Sequence, residues 1–190
     1  MVTGDLTMRS AAAAILLLSV GVLVGCAAQT SVANEATADE YPDISLAESK
    51  SNAQLLRNSA ETRISEEAVE GRIESDASAA CLDHAEDPEG AIRRWVSTTE
   101  VSLVRWHAWR VDDVAEILID TFVDQSWNSI EIEGVHTAEA RLLTSGKGLA
   151  EIQVEAVGTA DDSAATLYVT VSGPCVRTDG ADSDEVTALG

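Results

Sequence analysis

Two stretches near the end of the chain alternate apolar and polar side chains at every position. Ala150, Ile152, Val154 and Ala156 interleave with Glu151, Gln153 and Glu155, and Ala165, Leu167, Val169 and Val171 interleave with Thr166, Tyr168, Thr170 and Ser172. A period of two with one dry and one wet side predicts strands of an antiparallel sheet. Residues 158–163 between them form a polar turn. Upstream, Ile130 and Ile132 alternate with Glu131 and Glu133, and residues 138–144 lead into Ser145-Gly146-Lys147-Gly148. The glycines of that tetrapeptide supply the positive φ of a hairpin turn. An earlier strand follows the turn Asp87-Pro88-Glu89-Gly90, where Arg94, Val96 and Thr98 alternate with Trp95, Ser97 and Thr99 towards Val104.

Helical spacing appears twice. Over residues 45–75, Ala53, Leu56, Ala60, Ile64, Ala68 and Ile73 recur at intervals that predict an amphipathic helix, with Gly71 able to interrupt or end it. In the second helix Val114, Ile117, Leu118, Thr121, Phe122 and Gln125 mark one face, opposite Glu116, Asp120 and Asp124. Asp113 followed by Glu116 has the form of a capping box, which places its start there, and its end falls near Trp127-Asn128. Helices with a shallow stripe over a half-wet sheet predict an α+β, two-layer domain. The expectation is an antiparallel sheet of about four strands with two helices packed on one face, in the order α-β-α-β-β-β. Residues 45–178 would form this globular domain and 179–190 a flexible tail.

Residues 11–25 carry no charge, follow Arg9 and end in Leu23-Val24-Gly25-Cys26. A basic residue, a greasy run and a small residue build a secretory signal peptide. Fifteen residues span roughly 22 Å as a helix, short of the ~30 Å hydrocarbon core, so length favours a removable signal over a membrane span. A cysteine directly after the small residue resembles the lipobox of bacterial lipoproteins. The resemblance implies cleavage before Cys26, diacylation of its thiol and tethering at the outer face of the cell membrane. Residues 1–25 are then a lipoprotein signal peptide, and residues 26–44 are the lipidated cysteine and a disordered tether of small, polar and acidic side chains. Two acyl chains, at ~0.8 kcal/mol per buried methylene, hold where one would only visit.

Charge narrows the partners. The net charge is −21, and removing residues 1–26 leaves it unchanged because Asp5 and Arg9 go together. No basic patch offsets this surface, which excludes nucleic acid as a partner. Lysine is confined to Lys50 and Lys147 against ten arginines, a bias common in GC-rich genomes. Beyond Cys26 two cysteines remain, Cys81 and Cys175. An even residual count in an exported chain points to a disulfide, and a loop this long would stabilise by roughly 3–5 kcal/mol on the chain-entropy model. The rival is a metal site at Cys81, Asp83 and His84, although the repeated ligand pairs of zinc sites are missing.

A first helix, a cysteine ahead of a Trp-bearing strand and a helix ending in Ser126-Trp127 come first in the chain. A meander closing on Ser172-Gly173-Pro174-Cys175-Val176 completes the pattern. With the lipobox, it resembles a group of actinobacterial lipoproteins over most of residues 45–178. The resemblance implies the α+β fold and a Cys81–Cys175 link, and carries no activity with it.

Candidate chemistry is sparse. His84, His107 and His136 sit in unrelated contexts, without a Gly-x-Ser-x-Gly elbow, and Ser145-Gly146-Lys147-Gly148 lacks the spacing of a phosphate loop. No catalytic residue, cofactor or metal is expected. Trp95 and Trp127 read as core, whereas Trp106, His107, Trp109 and Arg110 put aromatic and basic groups into a connection of a very acidic chain. Such groups dominate binding hot spots, and these four are the candidate binding residues; the plainer alternative is indoles covering a sheet edge. The function expected is therefore a membrane-tethered, non-enzymatic binding domain for a protein or envelope ligand. The alternatives are a small envelope hydrolase using His107 or His136 with carboxylates, and an inert structural protein.

Overall fold

Ser45 starts the first helix with a complete capping box. Its Oγ accepts from the Glu48 backbone N–H, and the Glu48 carboxylate accepts from the Ser45 N–H at 2.9 Å. A computed structural model describes residues 41–108, 110–145, 150–158 and 164–189. The signal segment, Cys26, most of the tether, Trp109, the Gly146–Gly148 turn tip and most of the 158–163 turn lie outside them. Among the described residues no helix is long and apolar enough to cross a membrane.

Helix α1 (Leu46–Glu61) buries Leu46, Ser49, Ala53, Arg57 and Ala60, a narrow stripe of mostly small side chains. It ends well before Ser75. After a 3₁₀ turn at Glu66–Ala68 the chain enters β1 (Val69–Ala80), which pairs antiparallel with β2 (Ile92–Leu103) from Val69↔Leu103 to Ala80↔Arg93, with a bulge between Val69 and Gly71. The helix expected over residues 45–75 is thus a helix and a strand. Ala, Glu and Ser favour a helix locally, but pairing along the whole of β2 overrides that preference.

After β2 come a single turn, α2 (Arg105–Ala108), and α3 (Val111–Val123). Strands β3 (Asn128–Ile132), β4 (Ala140–Thr144), β5 (Glu151–Val157) and β6 (Ala165–Ser172) then form a meander that closes on β2. The strand order is β1-β2-β6-β5-β4-β3, and β7 (Val176–Arg177) continues along β2 beyond the end of β6. The α+β class expected from the sequence is present, with an open antiparallel sheet of seven strands instead of about four and a second strand ahead of α3.

Register puts Trp95, Val101 and Leu103 of β2 on the same face as Leu167, Val169 and Val171 of β6, Ile152 and Val154 of β5, and Leu143 of β4. Those side chains form one buried cluster with Leu46, Ala53 and Ala60 of α1 and Val111, Leu118 and Phe122 of α3. Each large side chain so buried contributes about 1.5–3 kcal/mol. The stripe that α3 buries is Val111, Ala115, Leu118 and Phe122. The helix begins at Val111 with Arg110 as N-cap and no side-chain cap, so the Asp113–Glu116 capping box is not used. The buried face is rotated from the expected one, leaving Ile117 exposed and Val114 on the flank.

Gly173 lets the start of α1 approach the end of β6 closely. A Cβ there would lie 2.6 Å from the Ser49 backbone oxygen. Ser49 Oγ donates to the Pro174 carbonyl and accepts from the Trp95 N–H, while the Gly173 N–H donates to the Trp95 carbonyl at 2.9 Å. Beside this junction Cys175 is disulfide-bonded to Cys81, 94 residues earlier, with Cα atoms 6.2 Å apart. Cys81 follows β1 instead of preceding the first strand, so the bond ties the β1–β2 connection to the β6–β7 junction.

Within the segment expected as a tail, residues 184–189 form a helix. Helix α4 (Asp184–Leu189) lies against α1: Glu185 accepts from the Leu46 N–H at 2.7 Å, and Lys50 Nζ donates to the Leu189 carbonyl at 2.8 Å. A carboxylate at the start of α1 answers one of its orphan N–H groups and complements the helix dipole, which the polar composition of the segment did not reveal.

Candidate functional site

Trp106 lies on α2 and is 58% exposed. Arg110 caps α3 and donates through Nε to Asp113 one turn on, at 3.0 Å. The side chain of His107 and all of Trp109 lie outside the described residues. Of the four candidate binding residues, Arg110 reaches a concave surface; Trp106 does not line it.

That concave surface is built where the chain reverses after α1. Residues 62–68 bring Arg63, Ile64 and Ala68 against the flank of α3 that its buried stripe leaves free. Ile64 and Ala68 form one wall of a cleft of about 220 Å³, and Val114 and Ile117 form the other. Ile64 and Ala68 are anchored in the core, whereas Ile117 is 61% exposed and forms an open lip. Arg63, Ser65, Arg110 and Asp113 supply the polar part of the lining.

The two arginines differ. Arg110 is neutralised by Asp113. The Arg63 guanidinium carbon sits 5.0 Å from the centroid of the Phe122 ring, within cation–π range. Its Nε is buried and has no hydrogen-bond acceptor, and no ion pair reaches Arg63 among the described residues. A buried donor left unanswered costs about 1–3 kcal/mol. Arg93, Arg105 and Arg177 also make no ion pair among the described residues; Arg63 is set apart by lining the cleft with its guanidinium over Phe122. Sequence reading missed Arg63, Ile64 and Ala68 as site residues because it placed them inside a continuous helix.

Of the two histidines the hydrolase alternative would use, His136 is described with its side chain and His107 is not. His136 stacks on Tyr168 with centroids 3.8 Å apart and planes at 16°. Glu155, 3% exposed, accepts from the backbone N–H groups of Val135 at 2.9 Å and His136 at 2.7 Å, and from the Gln153 amide. Burial pushes the Glu155 carboxyl up, but those donors and the nearby imidazole outweigh it and hold the group below the usual carboxylate range. Its task is to hold the 133–137 loop on the sheet. Burial and the carboxylates of Glu100 and Glu155 raise the neighbouring Tyr168 phenol, so it stays protonated.

No metal centre assembles among the described residues. Cys81 is spent in the disulfide, which removes the thiolate that a site with Asp83 and His84 would need. A wider and shallower recess of about 870 Å³ lies at the C-terminal end, beside Glu89, Asp182 and Glu185. Its walls are acidic. The chain matches no family model and no curated protein.

Proposed function

We propose that the chain is an extracytoplasmic lipoprotein, anchored to the cell membrane through Cys26, that acts as a non-enzymatic binding domain. It receives its ligand in the cleft between residues 63–68 and α3. The observation that carries this reading is Arg63: a cation fixed over Phe122, without an ion pair among the described residues, at the edge of an apolar cleft open at Ile117. Besides two apolar walls and Arg63, this cleft holds the Ser65 hydroxyl and the Asp113 carboxylate, the latter engaged by Arg110. The arrangement suits holding a molecule, not transforming it.

Tethering is supported by Leu23-Val24-Gly25-Cys26 after an uncharged run, and by the polar segment that follows. The Cys81–Cys175 bond suits an oxidising compartment and a domain whose first helix packs through small side chains. The likeness to actinobacterial lipoproteins fits the same picture. The test is a thermal-shift screen of the purified full chain against envelope peptides, glycans, nucleotides and small organic acids, each also followed for turnover. At least one ligand should raise the melting temperature and be recovered unchanged. Conversion of any of them, lost on substituting His107 or His136, would replace the binding domain with an enzyme.

A further inference from the structure

We infer that the ligand of the cleft is a small carboxylate with an apolar body, such as a short aliphatic or aryl acid. This rests on the reading of the cleft as the ligand site and adds the chemical class. Size comes first. About 220 Å³ is the room of roughly seven waters at ~30 Å³ each, below the range of drug-sized pockets. It suits a body of five or six carbons and is too small to take a whole peptide, glycan or nucleotide.

The walls set the second condition. Ile64, Ala68, Val114 and Ile117 present only hydrocarbon, so the part of the ligand between them is apolar. Charge sets the third. Asp113 already answers Arg110, which leaves one uncompensated cation, Arg63. One positive charge inside a strongly negative chain matches one negative charge; a dianion would keep an unpaired charge facing that field.

Geometry calls for a two-oxygen anion, and the single charge favours a carboxylate over a phosphate. The Arg63 guanidinium is held against the Phe122 ring, and its Nε is buried, so the two terminal nitrogens are the donors that remain for a ligand. That planar fork meets both oxygens of a carboxylate at once. An anion there also offsets the electrostatic deficit of a guanidinium that lacks an acceptor on Nε. Ile117, exposed without a ligand, would cover the apolar tail.

The experiment titrates the full chain with hexanoate, benzoate, hexan-1-ol, hexylammonium and inorganic phosphate, followed by methyl and amide NMR. Hexanoate and benzoate should shift Ile64, Val114 and Ile117 saturably, with phosphate and hexylammonium inactive and hexan-1-ol at least ten-fold weaker. Arg63→Met should weaken hexanoate at least ten-fold and leave hexan-1-ol unchanged. Because Arg63 also packs on Phe122, Ile117→Asp serves as a second variant: it alters an exposed position, should leave the fold intact and should abolish hexanoate binding. Equal binding of hexan-1-ol and hexanoate would overturn the anionic class while leaving the cleft a binding site. Tighter binding of phosphate would overturn the carboxylate. Absence of any saturable shift by the two acids, or wild-type affinity in both variants, would overturn the inference, whereas the binding-domain reading falls only if no ligand of the wider screen binds.

Discussion

Arg57 of α1 and Glu74 of β1 meet at 2.7 Å, and this pair is the centre of a network that takes the place of apolar packing between helix and edge strand. Arg57 is 5% exposed and also lies 3.3 Å from Glu61 and 3.7 Å from Asp76. Asp76 in turn accepts from the Trp95 indole and the Gln54 amide. Arg57→Ala should therefore destabilise the domain by about 3 kcal/mol, the scale for breaking a largely buried pair and leaving its partners uncompensated. Glu74, half exposed, should cost under about 1 kcal/mol when changed to Gln. Chemical denaturation of the two variants checks the asymmetry; equal losses would contradict it.

The same network explains what the sequence could and could not reveal. Strands β5 and β6 were legible because one side of each is apolar and the other polar, and the structure buries that apolar side. In β1 the residues on the core side are Arg72, Glu74, Asp76 and Ser78, opposite Val101, Thr99, Ser97 and Trp95. With no apolar alternation to see, a helix was the better local reading. The cleft was hidden for the same reason: Arg63 and Ile64 reach α3 only because the chain reverses after Glu61. On α3 the buried stripe runs through Ala115, a small residue that pattern reading passes over in favour of Ile117.

Acid should unfold the domain partly through Glu155. Its folded-state pKa lies below the unfolded value of ~4.3, so its contribution is complete above that pH and is lost as pH falls through the lower folded value. Glu155→Gln should lower stability near neutrality and flatten the acid limb of a stability–pH curve. A variant with an unchanged acid limb would show that Glu155 does not carry this dependence.

Cys81→Ser and Cys175→Ser should lower stability to a similar degree, by roughly 3–5 kcal/mol on the loop-entropy scale, and the double variant should add little. Titration of the denatured, unreduced protein should find neither thiol reactive. Additive losses would mean that the two cysteines act separately.

Anchoring is tested at Cys26, outside the described residues. Cys26→Ser should abolish lipid mass on the protein and its retention in the membrane fraction, leaving the disulfide and fold unchanged. Retention and mass identical to wild type would remove the lipoprotein reading.

Mapping where a ligand sits tests the central claim most directly. Any molecule that stabilises the full chain should be titrated while the methyl signals of Ile64, Val114 and Ile117 are compared with Ile130 at the far edge of the sheet and the rings of His136 and Tyr168. The cleft predicts saturable shifts at the first three and none at Ile130, His136 or Tyr168. Shifts confined to the His136–Tyr168 stack, with Ile64, Val114 and Ile117 unmoved, would contradict it.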